Sequence, residues 1–360
     1  MRKAIFNIHL YAALVFGAFI LVLGLTGSVI VFTEEIDRAL NPNLFSVEIG
    51  GEPLPVAEIR KMLPGHMPGL QTVSLRLPQH PGDTYFAQFK GKHYFINPFN
   101  GQLVGVRDEQ TLASRLSKLH TSLLMGKAGA AVVHASSIVL LFLVVSGVYL
   151  WFPYKRWRIA FTATLRRTAF DMHLALGTFT FVLIGIFAAT GIVLSFERET
   201  RQLLIAIVQP PPGLGRNVRS QPQPGARPLV EDEAIAAAVI ALPDAKPLAV
   251  QSPANATASF IVTLRHPEDR TPIGRSWVTI DQHSGHTLAM QSSRTVAAPT
   301  RALNVARALH TGDIFGLPSR VVMMFASIIV ALQMITGTYL WWKKFRSPPR
   351  ANPTPPGANA

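Results

Sequence analysis

The chain has 360 residues, 49% of them hydrophobic, with a positive mean hydropathy (+0.28) and a formal net charge of +14. It contains no cysteine, which excludes disulfides, iron–sulfur clusters, thiol catalysis and covalent C-x-x-C-H attachment of a haem. Four stretches, 5–32, 131–152, 172–196 and 321–342, each exceed the roughly 20 apolar residues that a bilayer crossing needs, and none contains Lys, Arg, Asp or Glu.

In chain order, residues 1–33 form the first transmembrane helix. Its apolar stretch is too long for a signal peptide, and Thr33-Glu34-Glu35 follows where a small-residue cleavage site would stand, so it reads as a retained anchor. Residues 34–110 make a small α+β module, with a helix at 55–63 and strands at 72–77, 84–90 and 93–97. An interfacial helix occupies 111–130, its amphipathic part at 111–119. The second span covers 131–153, a basic loop 154–170 and the third span 171–196. Residues 197–298 make a second α+β module, with a Pro- and Gly-rich linker at 209–228, a helix at 231–242 and strands at 259–265 and 276–281. An interfacial segment at 299–320, amphipathic over 300–309, leads to the fourth span at 321–342. The tail 343–360 is basic, rich in Pro, Ala and Asn, and is expected to be disordered.

Charge sets the topology. Arg2, Lys3, Lys155, Arg156, Arg158, Arg166, Arg167, Lys343, Lys344, Arg346 and Arg350 flank the spans with no acid among them, and supply 11 of the +14. The positive-inside rule places both termini and the 154–170 loop in the cytoplasm. The two modules then lie outside, which in a bacterium is the periplasm, and the host membrane is the inner one. Topology accounts for the high pI, so no nucleic-acid partner is expected.

The two halves repeat each other. His9, Thr26-Gly27 and Glu35 recur 164 residues later as His173, Thr190-Gly191 and Glu199. In a second register, shifted by 190, Leu119-His120-Thr121 recurs as Leu309-His310-Thr311, and Gly147-Val148-Tyr149-Leu150-Trp151 as Gly337-Thr338-Tyr339-Leu340-Trp341. Both modules close with one turn after a strand, Asn97-Pro98-Phe99-Asn100-Gly101 and Asp281-Gln282-His283-Ser284-Gly285, the chemistry of a strand reversal. These closures resemble the PepSY domain. The His-Thr-x-x-x-x-Gly and Ser/Thr-Gly-x-Tyr-Leu-Trp ends are similar to the PepSY-associated transmembrane family, over about residues 1–345. That resemblance implies an internally duplicated, integral membrane α-helical protein with four transmembrane helices and two small periplasmic α+β PepSY-like modules. It also implies a haem-bearing electron carrier of the ferric-siderophore reductase type, induced by iron limitation.

The histidines are the candidate ligands. His9 and His173 lie about one turn inside the cytoplasmic ends of spans one and three, and two neutral imidazoles across a bundle core suit a b-type haem. The same placement suits interfacial histidines reaching toward lipid headgroups. On the outer side, His134 lies inside span two, where an ionisable group is costly and marks a functional site. Its counterpart in the second half is Met324. The preferred outer pair is His134 with His310, with His120 as an alternative or supporting ligand. Each span also carries a Ser/Thr-Gly pair, which gives a flat macrocycle room or merely lets helices pack closely. His66, His80, His93, His266, His283 and His286 read as surface residues of the modules.

The expected cofactor is haem b, one or two per chain, held by His9, His173, His134, His310 and His120. There is no dinucleotide fingerprint for a flavin or nicotinamide domain, so electrons arrive from a membrane quinol or another donor. No acid–base catalytic residue is expected. The reading is an oxidoreductase whose substrate is a ferric siderophore or other ferric chelate. Its rivals are a non-haem metal or siderophore transport component, and a regulatory or scaffold protein acting through its PepSY modules.

Overall fold

The computed structural model describes residues 1–67, 74–155, 157–161, 164–209, 215–223, 225 and 227–346. The helices are α1 (Arg2–Ile30), α2 (Thr33–Leu40), α3 (Pro42–Phe45), α4 (Val56–His66), α5 (Leu112–Ser122), α6 (Gly126–Trp151), α7 (Leu165–Ser195), α8 (Glu197–Val208), α9 (Glu231–Ala241), α10 (Ala298–Thr311) and α11 (Leu317–Phe345). The strands are β1 (Ser74–Arg76), β2 (Tyr85–Phe89), β3 (Lys92–Ile96), β4 (Leu103–Asp108), β5 (Lys246–Gln251), β6 (Phe260–Arg265), β7 (Ser276–Ile280) and β8 (Thr287–Gln291).

Of these, α1, α6, α7 and α11 are long and apolar enough to cross a membrane. A helix satisfies its own backbone hydrogen bonds, the condition for a span in hydrocarbon. They form a closed ring in which α1 packs on α6 and α11, and α7 packs on the same two. Thus α1 and α7 face each other diagonally, as do α6 and α11. Midway along the ring, Ile20, Leu143, Ile184 and Val330, one from each helix, bury together in an apolar layer.

The strands form one antiparallel sheet in the order β4-β3-β2-β1-β5-β6-β7-β8. Two separate modules were expected; instead β1 pairs with β5, and Leu75 opposite Val250 joins the halves edge to edge. Four-stranded halves each expose an edge that invites pairing, and joining them removes one edge from each. α4 and α9 cover the sheet through Ile59, Leu63, Ala234 and Ala238, packed on Leu75, Val262 and Val278. The expected closing turns form in both halves. Gly101 (φ +70°) and Gly285 (φ +72°) take the left-handed conformation. Asn97 Oδ1 accepts from Phe99 N, and Asp281 Oδ1 accepts from His283 N and Ser284 N.

Other expectations need correction. β4, β5, β8, α2, α3 and α8 were not anticipated, while residues 72–73 of the expected first strand lie outside the described residues. The 209–228 linker is partly outside the described residues too. Its described part is pinned on the sheet rather than free: Thr279 Oγ1 donates to Arg216 O, and Gln221 N to Asp281 Oδ2. This strap covers the second face of β7, which is buried at every position. The expected tail begins within α11, and residues 347–360 lie outside the described residues. His266 is no surface residue; it is 1% exposed, with Nε2 3.1 Å from Ser292 Oγ.

One side chain ties the two halves at their helical layer. Asp232, on the first turn of α9, accepts from Val56 N (2.9 Å) and Ala57 N (2.8 Å) at the start of α4. These are N–H groups that the helix itself leaves unpaired, at its positive end. Asp232→Ala is expected to destabilise the sheet region by about 1–2 kcal/mol. Thermal unfolding of the purified protein would show it as a lowered midpoint, with Asp232→Asn intermediate.

Candidate functional site

Four imidazoles enter the bundle, two near each end, and each is held in the same way. On one level, His9 of α1 places Nδ1 2.8 Å from Ser146 Oγ on α6. His173 of α7 places Nδ1 3.0 Å from Thr336 Oγ1 on α11. At the other level, His120 of α5 places Nδ1 3.0 Å from Thr26 Oγ1 on α1, and His310 of α10 places Nδ1 3.0 Å from Thr190 Oγ1 on α7.

The hydroxyls decide the tautomer. Each donates to the carbonyl four residues back on its own helix: Ser146 to Phe142 O (2.6 Å), Thr336 to Leu332 O (2.8 Å), Thr26 to Val22 O (2.7 Å) and Thr190 to Ile186 O (2.5 Å). A hydroxyl has one hydrogen. With that hydrogen spent on the helix, the oxygen can only accept, so in each neutral ring Nδ1 carries the proton. Nε2 then holds a lone pair, and among the described residues it has no hydrogen-bond partner in any of the four rings. An Nδ1–H anchored by a second group with Nε2 free is the state in which histidine ligates a metal.

The glycine after each hydroxyl residue seats the ring edge. A Cβ at Gly147 would lie 3.5 Å from His9 Cε1, and at Gly337 3.2 Å from His173 Cε1. A Cβ at Gly27 would lie 3.1 Å from His120 Cε1, and at Gly191 3.4 Å from His310 Cε1. The Ser/Thr-Gly pair is therefore a histidine socket: one residue fixes the ring's proton, and the next lies against its edge, closely enough at Gly27 and Gly337 that a Cβ would crowd it. The sequence reading gave these glycines to a macrocycle or to helix packing; the structure puts them against the rings themselves.

His9 and His173 lie on diagonal helices and line one cavity of about 970 Å³. Its walls include Gly147, Gly177 and Gly337, with Trp151 and Trp341. Its mouth carries Arg2, Lys3, Arg166, Arg167 and Lys344. An apolar chamber with two free imidazole nitrogens and a cationic mouth fits a flat, hydrophobic group bearing carboxylates. Both the volume and the few placed polar groups are typical of a cofactor site.

At the other level the structure brings together His120 and His310, not His134 and His310. The His120 and His310 rings are 6.3 Å apart, centroid to centroid. A metal bonded to one nitrogen of each ring at about 2 Å sits about 3 Å from each centroid, which is close to this spacing. His134 instead packs its ring on Phe196 at 5.1 Å. α5 and α10, expected along the membrane surface, pack on the bundle and carry their histidines into it. Burial lowers the His120 pKa and, with the nearby His120 charge, drives His310 down to about 4. Both rings are neutral at ordinary pH. Among the described residues, no three His, Asp or Glu side chains come together as a metal-binding group.

The PepSY-associated TM region family model matches residues 6–344, so the chain belongs to that family and is a multi-pass membrane protein. No curated protein matches it.

The socket has a testable energetic content. Thr190→Val keeps the shape of the side chain and removes the acceptor for His310, a hydrogen bond worth about 1 kcal/mol. Amide exchange over 298–311 is expected to quicken roughly fivefold, with exchange over 112–122 unchanged. Equal exchange in both segments would mean that the Thr190 hydroxyl does not hold α10.

Proposed function

We propose that this PepSY-associated membrane protein is a b-type haem electron carrier of the bacterial inner membrane, reducing ferric chelates on the periplasmic side. The observation that supports it most is the fourfold socket: four neutral imidazoles, each with Nδ1 anchored and Nε2 free, arranged as a facing pair near each end of a four-helix bundle. His9 and His173 would hold one haem, and His120 and His310 a second. His134 has no part in this set. The two halves are then a duplicated unit, each supplying one ligand to each level.

The charge pattern supports the orientation. The cavity mouth at the His9/His173 level is cationic, which by the positive-inside rule is cytoplasmic. The sheet, α5 and α10 belong to the other end. His9 and Thr26 lie on one helix, about 25 Å apart along its axis at about 1.5 Å per residue. The two levels therefore sit near opposite faces of a hydrocarbon core about 30 Å thick.

When bound, haem supplies reversible one-electron exchange between ferric and ferrous iron. The chain's own residues do the rest. The sockets keep Nε2 unprotonated and aimed, and the arginines and lysines at the mouth neutralise carboxylates. The apolar walls exclude water, which also sets the potential. Reduction of a ferric chelate then needs no acid–base residue at the reacting centre, because only an electron crosses. The iron centre of the chelate gains it and becomes ferrous, and hard-oxygen chelation weakens.

The test is a reduced-minus-oxidised absorbance spectrum of the detergent-purified protein with haem quantified per chain. Two low-spin b-type haems are expected. His9→Ala or His173→Ala should leave one, His120→Ala or His310→Ala the other, and His134→Ala both. A folded, haem-free protein from haem-replete cells would overturn the reading. So would loss of neither haem in any of the four socket variants.

A further inference from the structure

A second recess, of about 280 Å³, lies between β6, β7 and β8 on one side and α8 and α10 on the other. Four arginines line it: Arg201 from α8, Arg216 from the strap, Arg275 from the entry to β7 and Arg307 from α10. Among its lining residues the one carboxylate is Glu197, already divided between two of them. Its Oε1 takes Arg201 Nη2 at 3.1 Å and its Oε2 takes Arg307 Nη2 at 2.6 Å.

Among the described residues, the other two arginines have only neutral hydrogen-bond partners. Arg216 Nη2 donates to Thr263 Oγ1 (3.0 Å), and its guanidinium lies 5.7 Å from the Trp277 ring. Arg275 Nε donates to Thr271 Oγ1 (3.1 Å), while its Nη2 is buried with no hydrogen-bond partner among the described residues. Glu197, Asp269 and Asp313 act on Arg275 only at a distance; Glu197 is divided as above, and the two aspartates are committed elsewhere. Asp269 accepts from His266 N; Asp313 accepts from Thr311 Oγ1 and pairs with Arg320. The recess thus gathers three unneutralised positive charges around a buried, idle donor, an arrangement that is costly unless an anion completes it.

The matching positions of the first half are arranged differently. In the 164 register, Asp37 stands where α8 carries Arg201. Asp37 takes Arg107 with both oxygens, at 2.6 and 2.5 Å. The Arg107 guanidinium is also packed on Phe45 (5.4 Å) and Phe95 (5.2 Å). At these positions the first half pairs its arginine with a carboxylate, whereas the recess of the second half is cationic. Position adds a function. Arg307 precedes His310 by one turn on α10, so the two share a helix face.

We propose that this recess binds carboxylate groups of an anionic ferric chelate and thereby docks it one helical turn from His310. The volume takes one or two carboxylate arms and leaves the iron core at the mouth, and the guanidinium fork matches carboxylate geometry. This deepens the reductase reading by naming the substrate class, and it rests on that reading for what the docking accomplishes. The same oxyanion chemistry could come from a lipid headgroup, so the test separates the two sources.

The probe is gallium(III)–citrate, a redox-silent analogue, titrated by calorimetry into the full chain in phosphatidylcholine nanodiscs. Saturable binding is expected. It should weaken at least tenfold in Arg275→Gln and in Arg216→Gln, an exposed position less prone to disturb folding, and remain unchanged in Arg294→Gln. With dithionite-reduced protein and iron(III)–citrate, Arg216→Gln should raise KM for reoxidation and leave kcat unchanged. Absence of binding to the native chain, or equal binding by all variants, overturns the proposal. So does competitive loss of binding when phosphatidylglycerol replaces phosphatidylcholine, which would assign the recess to a lipid headgroup. Binding needs no haem. A haem-free chain that binds the probe sinks the reductase reading alone, and a haem-loaded chain that does not bind it sinks this one alone.

Discussion

The hydrogen bond from an imidazole Nδ1 to a helix-bound hydroxyl is the constraint on which the rest of the arrangement depends. A serine or threonine inside a helix usually spends its hydrogen on the carbonyl one turn back. That habit slightly weakens a helix, but here it makes the hydroxyl a pure acceptor. The acceptor in turn leaves the neutral imidazole only one way to sit. Four such sockets fix four rings at two levels, without any acid that would bring a charge into the membrane. A carboxylate would orient the rings more strongly but at a far larger desolvation cost. The glycine that follows is the steric half of the same device at Gly27 and Gly337, where a Cβ would crowd the ring edge; at Gly147 and Gly191 it would only touch it.

The sockets also dictate how the outer part is built. His120 and His310 are not on the spans but on α5 and α10, which must be pressed against the bundle for the rings to reach Thr26 and Thr190. α2 and α8 leave α1 and α7 directly, and the Arg320 pair with Glu35 and the Arg307 pair with Glu197 bind these short helices to the opposite elements. Above them, the pairing of β1 with β5 makes one sheet from two halves. That one sheet joins the two halves on the side of the molecule where His120 and His310 meet.

Much of this was legible in the sequence. Apolar length located the spans, the two repeat registers located the histidines and the Ser/Thr-Gly pairs, and the Asn97 and Asp281 turns located the strand reversals. What was not legible had a common physical cause: it depended on contacts between segments far apart in the chain. Depth along a span favoured His134, because α5 and α10 read as surface helices and nothing local shows a surface helix turning one residue inward. β5 and β8 lack the alternation that marks a half-buried strand. The β1–β5 pairing joins segments more than 160 residues apart, and the arginine recess draws on four separate segments. Each socket was in plain view as a dipeptide and a histidine, but its meaning required knowing which hydroxyl faces which ring.

The apolar layer between the two levels bears on what can pass between them. Ile20 (1% exposed), Leu143 (5%), Ile184 (4%) and Val330 (4%) come one from each helix and close the middle of the ring. A metal ion moving through the bundle would have to shed its water at this layer with no carboxylate or carbonyl cage to replace it, and an isolated charge in such surroundings costs many kcal/mol. The same four side chains are no obstacle to an electron, which needs redox centres on either side and a rigid medium between them. Packed hydrocarbon gives that rigidity and also keeps protons from following. The layer therefore favours electron transfer over metal transport for reasons independent of the histidines, and it does so with the residues least open to any polar role.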